Sequence, residues 1–148
     1  MGPTIHASAV LVGARAVLIR GPSGAGKSRL ALSLLEAAQT GLLAFARLVA
    51  DDRTYLEVAG GRLLARPPTE LAGLLEVYGL GIRRFPYEPV AVVSLVVDLA
   101  ATDAERLPAP ASRSTTIDGI ALPRLPIAAD AEPLMVTLAA LATAQASH

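Results

Sequence analysis

The segment Gly21-Pro-Ser-Gly-Ala-Gly-Lys-Ser28 decides how this 148-residue chain is interpreted. It fits the pattern Gly-x-x-x-x-Gly-Lys-[Ser/Thr] without a mismatch. Glycines let the backbone curl so that successive N–H groups face a polyphosphate, and the helix that follows adds its positive N-terminal end. The alternative is a glycine-rich turn that contains Lys-Ser by chance, but a β-branched run precedes the segment and an Ala/Leu-rich run follows it. We therefore predict a nucleoside triphosphate site.

The side chains of this segment suit ATP with Mg²⁺. Lys27, the one lysine of the chain beside twelve arginines, is expected to reach the β- and γ-phosphates. The Ser28 hydroxyl is expected to coordinate Mg²⁺. The residues predicted to bind the nucleotide are Gly21, Pro22, Ser23, Gly24, Ala25, Gly26, Lys27 and Ser28.

Composition bounds the remaining possibilities. Apolar residues make up 53% of the chain and aromatic residues 3%, so the core must be built from Ala, Val, Leu and Ile. The formal net charge is zero, which gives no electrostatic footprint for nucleic acid or an anionic membrane. Residues 89–101, the most apolar stretch, fall short of the roughly 20 residues that span a bilayer. The absence of cysteine excludes disulfides and thiolate metal sites. We expect a cytoplasmic protein with one domain over residues 1–148.

Working outward from the glycine-rich segment, residues 7–12 and 15–20 are apolar runs separated by Gly13-Ala14, which predicts a hairpin. Helical spacing predicts a helix over residues 27–39. Residues 48–50 form a short apolar strand that ends in Asp51-Asp52. Residues 54–58 and 62–65 flank Gly60-Gly61 and predict a second hairpin.

The second half of the chain continues this mixture. Breaks at Pro67-Pro68 precede a short predicted helix over residues 70–75, and residues 90–99 read as a buried strand. Residues 102–113 are polar and predict a loop. Asp118-Gly119 predicts a hairpin within residues 115–122, and residues 131–146 predict a C-terminal helix. The fold class is α/β, with a mixed, largely antiparallel sheet and flanking helices.

Few other residues stand out on chemical grounds alone. Asp51 and Asp52 end a strand, where a carboxylate can face the nucleotide, but in a strand only one of them can point there. Phosphoryl transfer needs a group to orient or deprotonate the acceptor and one to hold the metal. Arg106 lies in the predicted loop and could reach a γ-phosphate. Glu76 and His6 are not distinguished from surface residues by this reasoning.

The order of motifs nevertheless resembles the catalytic domain of the HPr serine kinase/phosphorylase family, from His6 to about residue 127. The matching segments are His6; residues 21–28; Arg47-Leu-Val-Ala-Asp-Asp-Arg53; Leu74-Leu-Glu-Val-Tyr-Gly-Leu-Gly-Ile82; Glu105-Arg-Leu107; and Leu122-Pro123 to Pro126. The chain looks like the short form of this family, which lacks the N-terminal domain.

The resemblance implies a role for each matching residue. His6 would lie near the transferred phosphoryl group, and Lys27 would stabilise the phosphates. Ser28 and Glu76 would bind Mg²⁺. Asp51 would accept the proton of the acceptor serine, and Arg106 would neutralise charge on the moving phosphoryl group.

The resemblance also implies a fold and partners. The fold would be a P-loop kinase core related to that of phosphoenolpyruvate carboxykinase. The assembly would be a homo-oligomer, a hexamer in the family. The substrate would be a serine of HPr, the small phosphocarrier protein of sugar-transport phosphorelays, and the family can also remove that phosphate by phosphorolysis.

The chain departs from the family pattern at several places. Ala7 stands where the family has glycine, and Tyr78 where it has arginine. Residues 83–89 replace a longer glycine-rich loop. Residues 126–131 lack the basic residues tied to phosphorolysis, which counts against that reaction. Two alternatives stay open: a P-loop kinase of small molecules, and a non-catalytic module that senses ATP.

Overall fold

A computed structural model describes residues 2–143 of the chain, which form ten strands, two α-helices and two 3₁₀ turns. The strands are β1 (Ile5–Val12), β2 (Arg15–Arg20), β3 (Ala46–Ala50), β4 (Arg53–Ala59), β5 (Arg62–Arg66), β6 (Leu74–Val77), β7 (Gly81–Arg84), β8 (Ala91–Leu99), β9 (Ser114–Ile117) and β10 (Ile120–Ile127). The helices are α1 (Lys27–Gln39) and α2 (Pro133–Ala142), and the 3₁₀ turns are Thr69–Leu71 and Pro110–Arg113.

Eight strands form one sheet in the order β2-β1-β4-β5-β8-β10-β9, with β3 added beside β1. Strand β2 also pairs with β8, so the pairings of β1, β2, β8, β5 and β4 close into a ring. The β2–β8 and β8–β10 pairs are parallel, whereas the remaining pairs of this sheet are antiparallel. The predicted mixed, largely antiparallel sheet is therefore confirmed.

The directions of the strands bring several chain segments to one edge of the sheet. Strands β2, β3, β8 and β10 run the same way, because β3 and β2 are both antiparallel to β1 and the other two pairs are parallel. Their carboxyl ends therefore share one edge, and β1 begins there. We call this edge the carboxyl edge.

Two apolar clusters hold the sheet, one on each face. Side chains alternate across a strand, so Leu18 of β2 joins the cluster enclosed by the strands, while Val17 and Ile19 join the cluster under α1. Leu30 and Leu34 of α1 are fully buried in that second cluster. Helix α1 is thereby fixed against the face of the sheet, with its first residue at the carboxyl edge.

The element predictions hold except over residues 70–75 and at the ends of the C-terminal helix. Both early hairpins, α1, the strand ending at Leu99 and the Asp118-Gly119 turn are confirmed. The helix predicted over residues 70–75 is wrong, because only a 3₁₀ turn forms before Gly73, which adopts a φ of +78°. Strand β6 then begins at Leu74, and Leu75 enters the core.

The C-terminal helix is confirmed over Pro133–Ala142. Residues 131, 132 and 143 of that prediction are not helical, and residues 144–146 lie outside the described part of the chain. Within residues 2–143, neither helix has the length and apolar character needed to cross a bilayer.

Candidate functional site

The glycine-rich loop, residues 21–28, leaves the carboxyl end of β2 and enters α1. Gly26 is the N-cap residue of the helix, with a left-handed φ of +103° and no side-chain cap. The first turn of α1 contains no acidic residue. The N–H groups at this helix end therefore keep their capacity to bind an anion, and the helix dipole favours one.

Lys27 lies under the loop with only 7% of its surface exposed. Its Nζ donates hydrogen bonds to the carbonyls of Gly21, at 2.8 Å, and Pro22, at 3.3 Å. No carboxylate of residues 2–143 forms an ion pair with it. A nearly buried ammonium that is held only by carbonyls has uncompensated charge, which a polyphosphate would neutralise.

Asp51 is the acceptor on which this site converges. Its carboxylate is nearly buried and accepts hydrogen bonds from Ser28 Oγ, at 2.7 and 3.0 Å, and from Ser8 Oγ, at 2.8 Å. The backbone N–H of Glu76 donates to its Oδ2 at 3.2 Å. Four elements thus meet at one carboxylate: β1, the start of α1, the end of β3 and β6.

Ser8 is a site residue that the sequence reasoning missed. Its side chain is fully buried, donates to Asp51 and accepts a hydrogen bond from the backbone N–H of Asp52 at 3.1 Å. The signal in the sequence is slight: one hydroxyl in an otherwise apolar strand, two residues after His6. Nothing in the sequence shows that this strand end lies beside Asp51.

The two neighbouring acids point to different environments, as expected. Asp52 has a φ of +66°, which turns its side chain outward while its carbonyl accepts a hydrogen bond from Ala7 N. Its carboxylate lies 4.0 Å from Nδ1 of His6, and both side chains are largely exposed. The structure thus brings His6 to the carboxyl edge, on the solvent side of Asp51.

Glu76 is near this cluster through its backbone, whereas its side chain is exposed. The alternation of β6 explains this orientation, because Leu75 is buried under α1 and the next side chain must point the other way. Sequence reasoning placed Glu76 after a helix, and the structure places it on a strand that pairs with β7.

Arg106 lies in the loop that follows β8, residues 100–113. This loop starts beside the glycine-rich loop: a Cβ added to Gly21 would lie 3.1 Å from Leu99 Cβ, a distance that only glycine accommodates without a shift. Arg106 is exposed and takes part in none of the hydrogen bonds or ion pairs within residues 2–143. The loop reaches the carboxyl edge, and the side chain is not held.

A partly buried ionic cluster lies next to the bases of these two loops. Asp98 of β8 accepts two hydrogen bonds from Arg20, at 2.7 and 2.8 Å, and one from Arg124, at 2.5 Å. Burial alone would raise the pKa of Asp98, but the hydrogen bonds and charges of the two arginines outweigh it and lower that pKa. The carboxylate is therefore held in its charged form immediately before the loop that carries Arg106.

Comparisons with known proteins identify first the fold and then the family. The structure resembles that of the Hpr(Ser) kinase/phosphatase from Coxiella burnetii, with a TM-score of 0.76, 23% identity and coverage of 95% of this chain and 89% of that one. The fold is thus a mixed α/β fold of the kind seen in that protein. The family model for the HPr Serine kinase C-terminal domain matches residues 2–132, and the chain belongs to this family.

Curated relatives agree with the family assignment. The HPr kinase/phosphorylase of Clostridium beijerinckii is 40% identical over 78 residues, which are 53% of this chain and 24% of that protein. The HPr kinase/phosphorylase of Clostridium tetani is 39% identical over 82 residues, 55% of this chain and 25% of that protein. The match spans about a quarter of the length of these relatives. The family resemblance predicted from the sequence is confirmed.

Proposed function

We propose that this chain is an ATP-dependent protein-serine kinase that phosphorylates HPr or a closely similar phosphocarrier, with residues 1–148 as one catalytic domain. The family and the names of its relatives support this proposal. The observation that carries it is the convergence of Lys27, Ser28 and Asp51 at the carboxyl edge. An anion site, a hydroxyl ligand and a carboxylate are the parts that phosphoryl transfer requires.

ATP and Mg²⁺ fit the residues present. The glycine-rich loop offers free N–H groups and Lys27 a positive charge for the phosphates, in a P-loop core of the phosphoenolpyruvate carboxykinase kind. Ser28 and Glu76 would hold Mg²⁺, which commonly takes one or two protein oxygens and completes its shell with phosphate and water. The described residues contain no cluster of three His, Asp or Glu side chains. A Mg²⁺ ion that takes only one or two protein oxygens does not need such a cluster. Bound Mg²⁺ would neutralise charge between the β- and γ-phosphates.

In the proposed reaction, Asp51 accepts the seryl proton while the serine oxygen bonds to the γ-phosphorus and the bond to the ADP oxygen breaks. Arg106 neutralises charge on the moving phosphoryl group, and His6 lies near it. Asp51 also receives the hydrogen bond of Ser28, a proposed metal ligand. That contact supports a second role for Asp51, which would help to hold Mg²⁺ by orienting Ser28.

The two roles of Asp51 predict different kinetics for Asp51→Asn. Loss of a base lowers the rate of transfer while the Mg²⁺ concentration for half-maximal rate stays the same. Loss of the contact with Ser28 raises that Mg²⁺ concentration. A titration of Mg²⁺ in the transfer assay separates the two.

We also propose that the forward reaction dominates. Residues 126–131 comprise the last two residues of β10 and the segment after it, at the carboxyl edge, and contain no basic residue that could hold inorganic phosphate. Phosphoseryl-HPr incubated with inorganic phosphate should therefore release pyrophosphate much more slowly than ATP phosphorylates HPr. Equal rates would contradict this point.

Assembly as a homo-oligomer, a hexamer, is a further part of the proposal. The hairpin of β6 and β7 presents three large apolar side chains to solvent, Tyr78, Leu80 and Ile82, of which Tyr78 is 94% exposed. Such a patch on one hairpin favours burial against another chain. The molar mass measured by light scattering should be several times the 15.2 kDa of one chain. The double variant Leu80→Lys, Ile82→Lys should have a lower molar mass.

The test of function is an assay with labelled ATP, Mg²⁺ and the HPr encoded by the same genome. The proposal predicts label on a serine of HPr that depends on both ATP and Mg²⁺. Transfer to a hydroxyl metabolite but not to HPr would favour a small-molecule kinase. Tight ATP binding without transfer to any acceptor would favour a non-catalytic sensing module.

A further inference from the structure

Arg124 of β10 fastens both ends of the loop that carries Arg106. Its Nη1 and Nη2 donate to the two carboxylate oxygens of Asp103, at 2.8 and 3.0 Å. Its Nη1 also donates to the backbone carbonyl of Ser112 at 2.9 Å. One guanidinium group therefore closes a loop whose free part is residues 104–111, and Arg106 lies inside that part.

Arg124 is itself immobilised from the other side. Its Nε donates a hydrogen bond to Asp98, and Asp98 also accepts a bidentate pair of hydrogen bonds from Arg20. Arg20, Asp98 and Arg124 lie on three adjacent strands joined in parallel register. Arg20 is also the residue directly before Gly21. The ion pairs of Arg20, Asp98 and Arg124 thus connect the base of the glycine-rich loop to the base of the Arg106 loop.

The geometry of the contacts distinguishes them from an ion pair made through a single hydrogen bond. A two-pronged arginine–carboxylate contact is directional and stronger than a neutral hydrogen bond. The side chain of Arg124 is largely buried, and its hydrogen bond to Asp103 outweighs its desolvation and raises its pKa. Asp103 is more exposed than Arg124, so the contact between these two residues can be removed while the contact between Arg124 and Asp98 stays.

We propose that Arg124 and Asp103 are positioning residues that hold residues 104–111 over the carboxyl edge, so that Arg106 can reach the transferred phosphoryl group. The proposal rests on the proposed kinase function for the role of Arg106. Catalytic contacts tolerate little displacement, because a misplacement of about 1 Å can cost a hundredfold in rate. An exposed arginine on a free loop would lose that precision, whereas a loop closed at both ends retains it.

The first test measures the loop itself and needs no catalysis. Trypsin cleaves after exposed arginines, so cleavage after Arg106 reports how often the loop opens. Asp103→Ala removes the contact with Arg124 and leaves Arg124 bonded to Asp98. Glu57→Ala is the matched control, because it breaks a comparable contact with Arg66, at 3.2 and 3.3 Å, away from the site. We expect cleavage after Arg106 to become about three- to fivefold faster in Asp103→Ala, in keeping with the modest strength of a partly exposed ion pair, and unchanged in Glu57→Ala.

The second test asks whether the contact between Arg124 and Asp103 affects phosphoryl transfer through Arg106. In the HPr phosphorylation assay, Asp103→Ala should lower kcat about tenfold with little change in the KM for ATP, and Asp103→Glu should restore part of it. In an Arg106→Ala background, Asp103→Ala should cause no further loss. A purely structural role predicts instead that the two losses multiply.

Either of two results overturns the proposal: unchanged cleavage after Arg106 in Asp103→Ala, or multiplicative losses in the double variant. Failure of the proposed function has a different signature, since the wild-type protein would then transfer nothing to HPr. The cleavage measurement still decides the anchoring in that case.

Discussion

The candidate site has two halves that differ in how the fold holds them. Lys27 and Asp51 are buried and Ser28 is half-buried, and the side chains of all three make hydrogen bonds that exist without any ligand. His6, Glu76 and Arg106 present exposed side chains at the same carboxyl edge. The buried half comes from strand ends and the first turn of a helix, and the exposed half comes from the beginning of a strand, a peripheral hairpin and a loop.

The difference indicates which groups are preorganised. Buried polar groups need partners, so the fold itself places Asp51 beside Ser28 and Ser8. Exposed side chains exchange partners with water at little cost, and a bound nucleotide and acceptor would have to draw them in. Substitutions in the buried half should therefore affect folding and function together, and those in the exposed half function alone.

The largest effect is expected for Asp51→Asn. The amide is nearly isosteric but cannot accept the seryl proton, so transfer to HPr should fall by about two to four orders of magnitude, the usual worth of a general base. ATP binding, measured by calorimetry, should remain. An unchanged transfer rate would remove Asp51 from the proposed mechanism.

Arg106→Ala should have the next largest effect, a loss of about two to three orders of magnitude in kcat, as for other groups that stabilise developing charge. Because the side chain is exposed, the free energy of unfolding should change by less than about 0.5 kcal/mol. Rates measured beside a urea titration of the same variant separate these two quantities. Arg62→Ala, at an exposed arginine that begins β5, serves as the control and should leave both unchanged.

Ser8→Ala tests the buried half through stability. It leaves the N–H of Asp52 without its partner and removes one donor from Asp51, which should lower the free energy of unfolding by about 1–3 kcal/mol. Ser8→Thr keeps the hydroxyl and should recover part of that loss. Stability equal to that of the wild type in Ser8→Ala would mean that the hydroxyl does not support the site.

An equally small effect on folding is expected for Glu76→Gln, within about 0.5 kcal/mol, because the carboxylate is exposed. Its effect should show instead as a higher Mg²⁺ concentration for half-maximal transfer. Together with Ser8→Ala, this variant distinguishes the two halves of the site. A clearly lower free energy of unfolding for Glu76→Gln would contradict the assignment of Glu76 to the exposed half.

The local features of the fold were predictable because each has a local cause. The glycine turns fixed the early hairpins, and helical spacing fixed α1 from its first residue. The error over residues 70–75 arose because Leu-Leu occurs in helices and buried strands alike. Gly73 and the packing of Leu75 against α1 decide for a strand, and that packing is tertiary information.

The site residues were likewise predictable only where the cause is local in the sequence. The phosphate-binding loop was proposed from a continuous motif, while Glu76, His6 and Arg106 became candidates through family resemblance. Ser8 and Arg124 remained hidden because their partners, Asp51 and Asp103, are 43 and 21 residues away in the chain. Only the pairing of distant strands makes those contacts.

The most direct measurement of the central claim is a crystal structure of the protein with Mg²⁺ and a non-hydrolysable ATP analogue. The triphosphate should lie in residues 21–28, with Ser28 and Glu76 at the metal and Asp51 facing the γ-phosphate. A nucleotide bound elsewhere, or a Glu76 or Asp51 side chain directed away from the γ-phosphate, would contradict the catalytic assignment.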